Sequence, residues 1–125
     1  MIGNNSSGAP SLIYGKTIDH VAEVTAVLSD SSLVRFGPVN DAELTVKTSQ
    51  GDLEGAVYRA LRKQVATHAD EIRARFPHVM RRVSGYNLDE LLPSSGQPFD
   101  LSKIVIGSEG TLCVVVEARL KLVER

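Results

Sequence analysis

Apolar positions in this chain follow two rhythms, one with a period of two residues and one with a period near 3.6. The clearest period of two closes the sequence. Leu112, Val114, Val116, Ala118, Leu120 and Leu122 are all apolar, whereas Glu117, Arg119 and Lys121 stand between the later ones. This alternation predicts a strand whose even-numbered face is core. Val21 to Leu28 reads as another strand from its β-branched content, and the turn-forming Ser29-Asp30-Ser31-Ser32 follows it. Leu33 to Phe36 is the return strand of the hairpin, closed by Gly37-Pro38. Leu44-Thr45-Val46 reads as a further short extended piece, an assignment that its charged and polar neighbours leave open.

The helical rhythm starts after Asp52, a capping residue. Leu53, Val57, Ala60, Leu61 and Val65 form one stripe, with Arg59, Arg62 and Lys63 off it as a solvated face. A second helix is predicted from Ala69 to Arg75, with Ile72 and Phe76 four apart and Pro77 as its stop. Its acidic start and basic end suit the helix dipole. A short turn is predicted at Leu88 to Leu92. A short helix is predicted over Phe99 to Ile106, capped by Asp100 or Ser102. These pieces predict an α+β fold, a mostly antiparallel sheet flanked by helices. Strand-helix-strand repeats and a Gly-x-Gly-x-x-Gly turn opening a helix are missing, which argues against a doubly wound nucleotide fold.

Composition narrows the function classes. With 125 residues and 42% hydrophobic content, the chain is long enough for one packed core. Fourteen basic and fifteen acidic residues leave a net charge of −1, which gives no electrostatic footprint for nucleic acid. The single cysteine, Cys113, has no disulfide partner within the chain, and His20, His68 and His78 lie too far apart in sequence for metal-ligand spacing. A spanning helix needs a run of about 18 apolar residues, and no such run exists. No signal-peptide pattern opens the chain either, so the expected compartment is the cytoplasm.

Candidate chemistry sits in two glycine-bearing loops. Gly107-Ser108-Glu109-Gly110-Thr111-Leu112 leads directly into the last strand. Without Cβ atoms at Gly107 and Gly110, a flat or anionic ligand can approach the backbone N–H groups, and Ser108 and Thr111 add hydroxyls. On spacing alone, a plain turn explains this loop as well. The second loop opens the chain: Asn4, Asn5, Ser6, Ser7 and Gly8 are nearly all turn formers. Gly85-Tyr86-Asn87 and the adjacent Arg81 and Arg82 are further candidates. Tyr86 has an equally good reading as a core aromatic, and the arginines as solvent-facing cations.

Four blocks in series, Met1 to Gly8, Tyr14-Gly-Lys-Thr-Ile-Asp-His-Val21, Gly85 to Asp89 and Gly107 to Leu112, resemble the FAD-linked oxidases of the vanillyl-alcohol oxidase type, with their PCMH-type FAD-binding domain. Within that group the pattern is most similar to the D-2-hydroxy acid dehydrogenases, the class of D-lactate dehydrogenase, the glycolate oxidase flavin subunit and D-2-hydroxyglutarate dehydrogenase. Members with a fused C-terminal iron–sulfur region are especially similar. The resemblance implies that residues 1–125 form the second half of the FAD-binding domain. The pyrophosphate-loop half and the substrate domain then lie outside the chain.

It also implies FAD as cofactor and a small 2-hydroxy acid as substrate, oxidised by hydride transfer to the flavin. Asn4, Asn5, Ser6, Ser7 and Gly8 line the cofactor in this reading, and Gly107, Ser108, Glu109, Gly110, Thr111, Leu112, Val114 and Val115 approach it from the other side. No catalytic residue or metal ligand falls in the chain, which alone is expected to be inactive and, with its missing half absent, prone to self-association. Cys113 departs from the glycine or small residue common in the family. A flavin-free interaction or regulatory module with the same fold is the alternative. A small hydrolase ranks last, since no Gly-x-Ser-x-Gly elbow exists.

Overall fold

Strand β1 (Val21–Val27) runs through the middle of a three-stranded antiparallel sheet, with β2 (Leu33–Phe36) on one side and β5 (Val114–Leu120) on the other. The computed structural model describes residues 1–9, 11–77, 79, 82–83, 85–93 and 97–123. Arg81 and His78, named above, lie outside them.

Between β1 and β2, Asp30 shapes the turn by accepting from the Ser32 backbone N–H at 3.0 Å and from its hydroxyl. Short helices α1 (Ser11–Tyr14) and α2 (Thr17–His20) precede the sheet; the sequence pattern did not signal them. After β2 come β3 (Pro38–Val39), α3 (Asp41–Ser49), α4 (Leu53–Thr67), α5 (Ala69–Arg75) and a 3-10 turn over Leu88–Leu91. The chain then returns through β4 (Phe99–Asp100) and α6 (Ser102–Val105) to β5. β3 and β4 pair antiparallel as a second, two-stranded sheet. The architecture is α+β.

Three local expectations need correction. Residues 44–46 lie within helix α3, not in an extended piece. Asn40 accepts from the Glu43 backbone N–H at 2.9 Å while Glu43 accepts from the Asn40 N–H at 2.8 Å, a reciprocal cap that nucleates the helix. Phe99 and Asp100, read as the start of a helix, pair instead with Val39 and Pro38. The Asp100 carboxylate then accepts from the Ser102 N–H at 2.9 Å, where α6 begins.

The third correction concerns the face of β5. Leu112, Val114, Val116, Leu120 and Leu122 are exposed, Val114 at 66% and Leu122 at 89%; of the even-numbered set only Ala118 packs on the core. The inner positions are Cys113, Val115 and Ala118. Pairing shows why. Thr25 faces Glu117, but the next residue, Ala26, faces Val115, so Val116 is an extra residue in the ladder. This bulge exchanges the two faces within the strand.

Under the inner face lies one core that includes Ile18, Val24, Tyr58, Leu101 and Ile106. Helix α4 contributes Tyr58, Val65 and Gly55 as its buried residues, whereas Ala60 of the predicted stripe is exposed. A Cβ on Gly55 would come within 2.2 Å of the Gln50 carbonyl oxygen, so the close approach of α4 to the end of α3 requires glycine. The Tyr58 ring stands between Phe36 and Phe99, with centroids 6.1 and 6.2 Å away. Its hydroxyl is buried without a partner among the described residues. Burial, aided by the carboxylates of Glu54, Asp100 and Glu43, pushes its phenol well above the ordinary value.

Two outcomes follow for this chain in denaturant titrations. Ile106→Ala is expected to cost about 2–5 kcal/mol, whereas Val116→Ala and Leu120→Ala stay within about 0.5 kcal/mol; a large loss at Val116 would restore the even-numbered face as core. Unfolded chains release the Tyr58 proton near pH 10, before the folded protein does, so stability falls as pH rises beyond that point. Tyr58→Phe removes that part of the alkaline loss and is neutral or stabilising by about 1 kcal/mol at pH 7, because it deletes an unsatisfied hydroxyl.

Candidate functional site

The two glycine-bearing loops, from opposite ends of the sequence, lie against each other. The Gly107 N–H donates to the Ile2 carbonyl at 3.0 Å, and the Glu109 N–H donates to the Gly3 carbonyl at 2.8 Å. This joint is made entirely by backbone atoms. It places the N-terminal turn beside the start of β5.

Each loop takes its shape from left-handed residues. Gly107, Glu109 and Gly110 have φ of 86°, 53° and 76°, and Asn5 has φ of 45°. Glycine adopts such values without strain, whereas Glu109 bears the steric cost of its Cβ, about 1–2 kcal/mol. The result is a tightly curled segment in which the Ser108 N–H turns back to Val105 and the Thr111 N–H to Ser108, at 3.1 Å each. Among the described residues, the N–H groups of Gly110 and Leu112 have no acceptor within the protein. A Cβ on Gly110 would meet nothing within 4 Å, so its backbone faces open space.

Beside this segment is a cleft of about 270 Å³ lined by Ile2, Gly3, Val105, Ser108, Gly110, Cys113, Val114 and Val115. It gathers four of the sequence-predicted residues, Ser108, Gly110, Val114 and Val115. Ser6 and Gly8 fall elsewhere, in a separate depression of about 290 Å³ shared with Lys16, Thr17 and His20. Ser6 and Ser7 spend their hydroxyls locally, on Asn4 at 2.7 Å and with Ser11 at 2.8 Å. Glu109 and Thr111 are exposed. Leu112 lines a different, almost wholly apolar cleft of about 350 Å³, between α4, α6 and the sheet. Cys113 and Val105 belong to both clefts and separate them. Partial burial raises the Cys113 thiol, which disfavours the thiolate and leaves the residue acting as packing.

Asn5 occupies a different position from the rest. It is fully buried, and its Oδ1 accepts from the Ile18 N–H at 3.0 Å, tying the N-terminal turn to α2. Its Nδ2 is buried with no hydrogen-bond partner among the described residues. From the side of the Gly85 segment, the Tyr86 hydroxyl lies 2.8 Å from the Thr111 hydroxyl, with the ring partly exposed instead of in the core. Arg82 makes an ion pair with Asp89 and its guanidinium lies over the Phe76 ring, so this cation is committed within the fold. Sequence reasoning missed the Asn5 tether and the Tyr86–Thr111 contact. Both join residues distant in sequence, for which no local pattern gives a signal.

No family model and no solved structure matches the chain. Curated proteins do. The chain is 35% identical over 122 residues to D-2-hydroxyglutarate dehydrogenase of Pantoea ananatis, and 38% over 122 residues to that of Pseudomonas putida. It is 39% identical over 126 residues to the Escherichia coli enzyme of the same name. Each alignment takes in 98% of this chain, and the chain spans 12% of the length of each relative. Over the one segment it spans, and in agreement with the four motifs, the chain is similar to the D-2-hydroxyglutarate dehydrogenases.

Proposed function

We propose that this segment forms half of an FAD cradle in a flavin-dependent dehydrogenase of small 2-hydroxy acids. The observation that carries the reading is the backbone joint between the two loops, next to a cleft that the Gly110 backbone borders without a side chain. The residues suit such a group. Val105, Val114 and Val115 offer apolar walls for a flat ring system, and the N–H of Gly110, which has no acceptor among the described residues, offers a donor for its carbonyl or phosphate oxygens. Ser6, Gly8, Lys16 and Thr17 border a second, mostly apolar depression that offers further surface for the rest of the cofactor.

Bound flavin supplies the two-electron acceptor for the hydroxy acid; this chain's residues supply binding and orientation. We place the acid/base groups and the substrate-binding residues in the remainder of the full-length protein. The relatives' name makes a D-2-hydroxyglutarate-like diacid the first substrate to test, with D-lactate and glycolate beside it.

The test is purification of the full-length protein under native conditions, followed by absorbance and FAD titration beside the 125-residue chain. Stoichiometric FAD in the full-length protein and weak or no binding by the chain alone is the expected result. A full-length protein that takes up no FAD overturns the reading and leaves a flavin-free interaction module. Gly110→Val in the full-length protein is expected to weaken FAD binding about tenfold or more, since it fills the open approach to the backbone, at a stability cost of about 1–2 kcal/mol from its positive φ.

A further inference from the structure

The geometry points to Asn87 as the positioning residue for the Gly107–Gly110 loop. Asn87 is 1% exposed, unusual for an amide outside a helix or strand. Its Nδ2 donates twice, to the Lys103 carbonyl at 3.0 Å and to the Ile106 carbonyl at 2.8 Å. Those acceptors lie in and just after α6, where carbonyls have no intrahelical partner. The chain bends into its left-handed conformation at the very next residue, Gly107.

The same nitrogen lies 3.5 Å from where a Gly107 Cβ would be, and the Asn5 Cβ lies 3.4 Å from that point. Two buried asparagines therefore crowd the Cβ side of Gly107. Asn5 fixes the N-terminal turn, and Asn87 fixes the end of α6. Asn87 itself is held at the start of the 3-10 turn by its own carbonyl, which accepts from the Glu90 N–H at 3.1 Å. Both amide protons are thus used to set where α6 stops and where the curled loop begins. Removing them leaves two buried carbonyls unpaired at that point, a local defect of the kind that loosens a segment.

This role as a positioning residue for a cofactor-binding loop rests on the FAD reading above. Asn87→Leu, similar in branching though larger and without donors, and Asn87→Ser, which keeps one donor, are made in the full-length protein. Amide hydrogen exchange is followed by mass spectrometry and FAD affinity by titration. The hydrogen-bonded N–H groups of Gly107, Ser108 and Glu109 are the reporters.

Faster exchange confined to residues 107–111 is expected, larger for Leu than for Ser. FAD affinity is expected to fall about tenfold in the Leu variant, while KM for the hydroxy acid in flavin-saturated enzyme stays within about twofold. Unchanged exchange at 107–111 in both variants overturns the proposal. So does a rise spread equally over β1 and β5, which is the mark of general destabilisation. If the unaltered protein takes up no FAD, the flavin reading fails by itself, and the local exchange pattern still decides whether Asn87 holds the loop.

Discussion

Two backbone hydrogen bonds, from Gly107 to Ile2 and from Glu109 to Gly3, hold the extremities of this chain together, and the candidate site exists only while they do. Each contributes little by itself, about 1 kcal/mol net. Their persistence comes from the buried amides around them. Asn5 spends its carbonyl on Ile18 and Asn87 spends its amino group on Lys103 and Ile106, so each side of the joint is anchored to its own neighbouring helix.

Much of the framework was legible because it is local. The β1–β2 hairpin carries its own turn residues, α4 its cap and stripe, and α5 its dipole-matched charges, and the structure places them where the pattern predicts. Asn40 and Glu43 had the spacing of a reciprocal cap, a signal present but outweighed by Leu44-Thr45-Val46. In β5, alternation identified the strand and gave the wrong face. From Cys113 to Val116 both faces are apolar, so period two cannot choose between them, and a single inserted residue reverses the parity further on. Tyr58 was missed as a core residue because the stripe was traced through aliphatic positions. The site was legible only as two separate loops. Their contact, and the bracing of Gly107 by Asn5 and Asn87, depends on tertiary geometry that no window of sequence contains.

Charge plays a small part in this arrangement. On the outer face of the sheet, Glu23 in the middle strand sits 3.4 Å from Arg35 and 3.5 Å from Arg119, one on each neighbouring strand. Both arginines are well exposed, so solvent screening leaves this triad worth little for stability. It does mark that face as wet. Further along β5, Val114 and Val116 carry no such marker, and the bulge at Val116 is the feature that interrupts a regular edge there.

The loop joint also has a consequence in time. Residues 2 and 3 can meet 107 and 109 only after nearly the whole chain has been brought back on itself, and closing so long a loop costs entropy that local helices and the hairpin do not face. The β1–β5 pairing spans almost the same sequence distance and sets the start of β5 against the sheet. The cleft therefore rests on contacts of long sequence separation, whereas the helices and the hairpin rest on contacts between near neighbours.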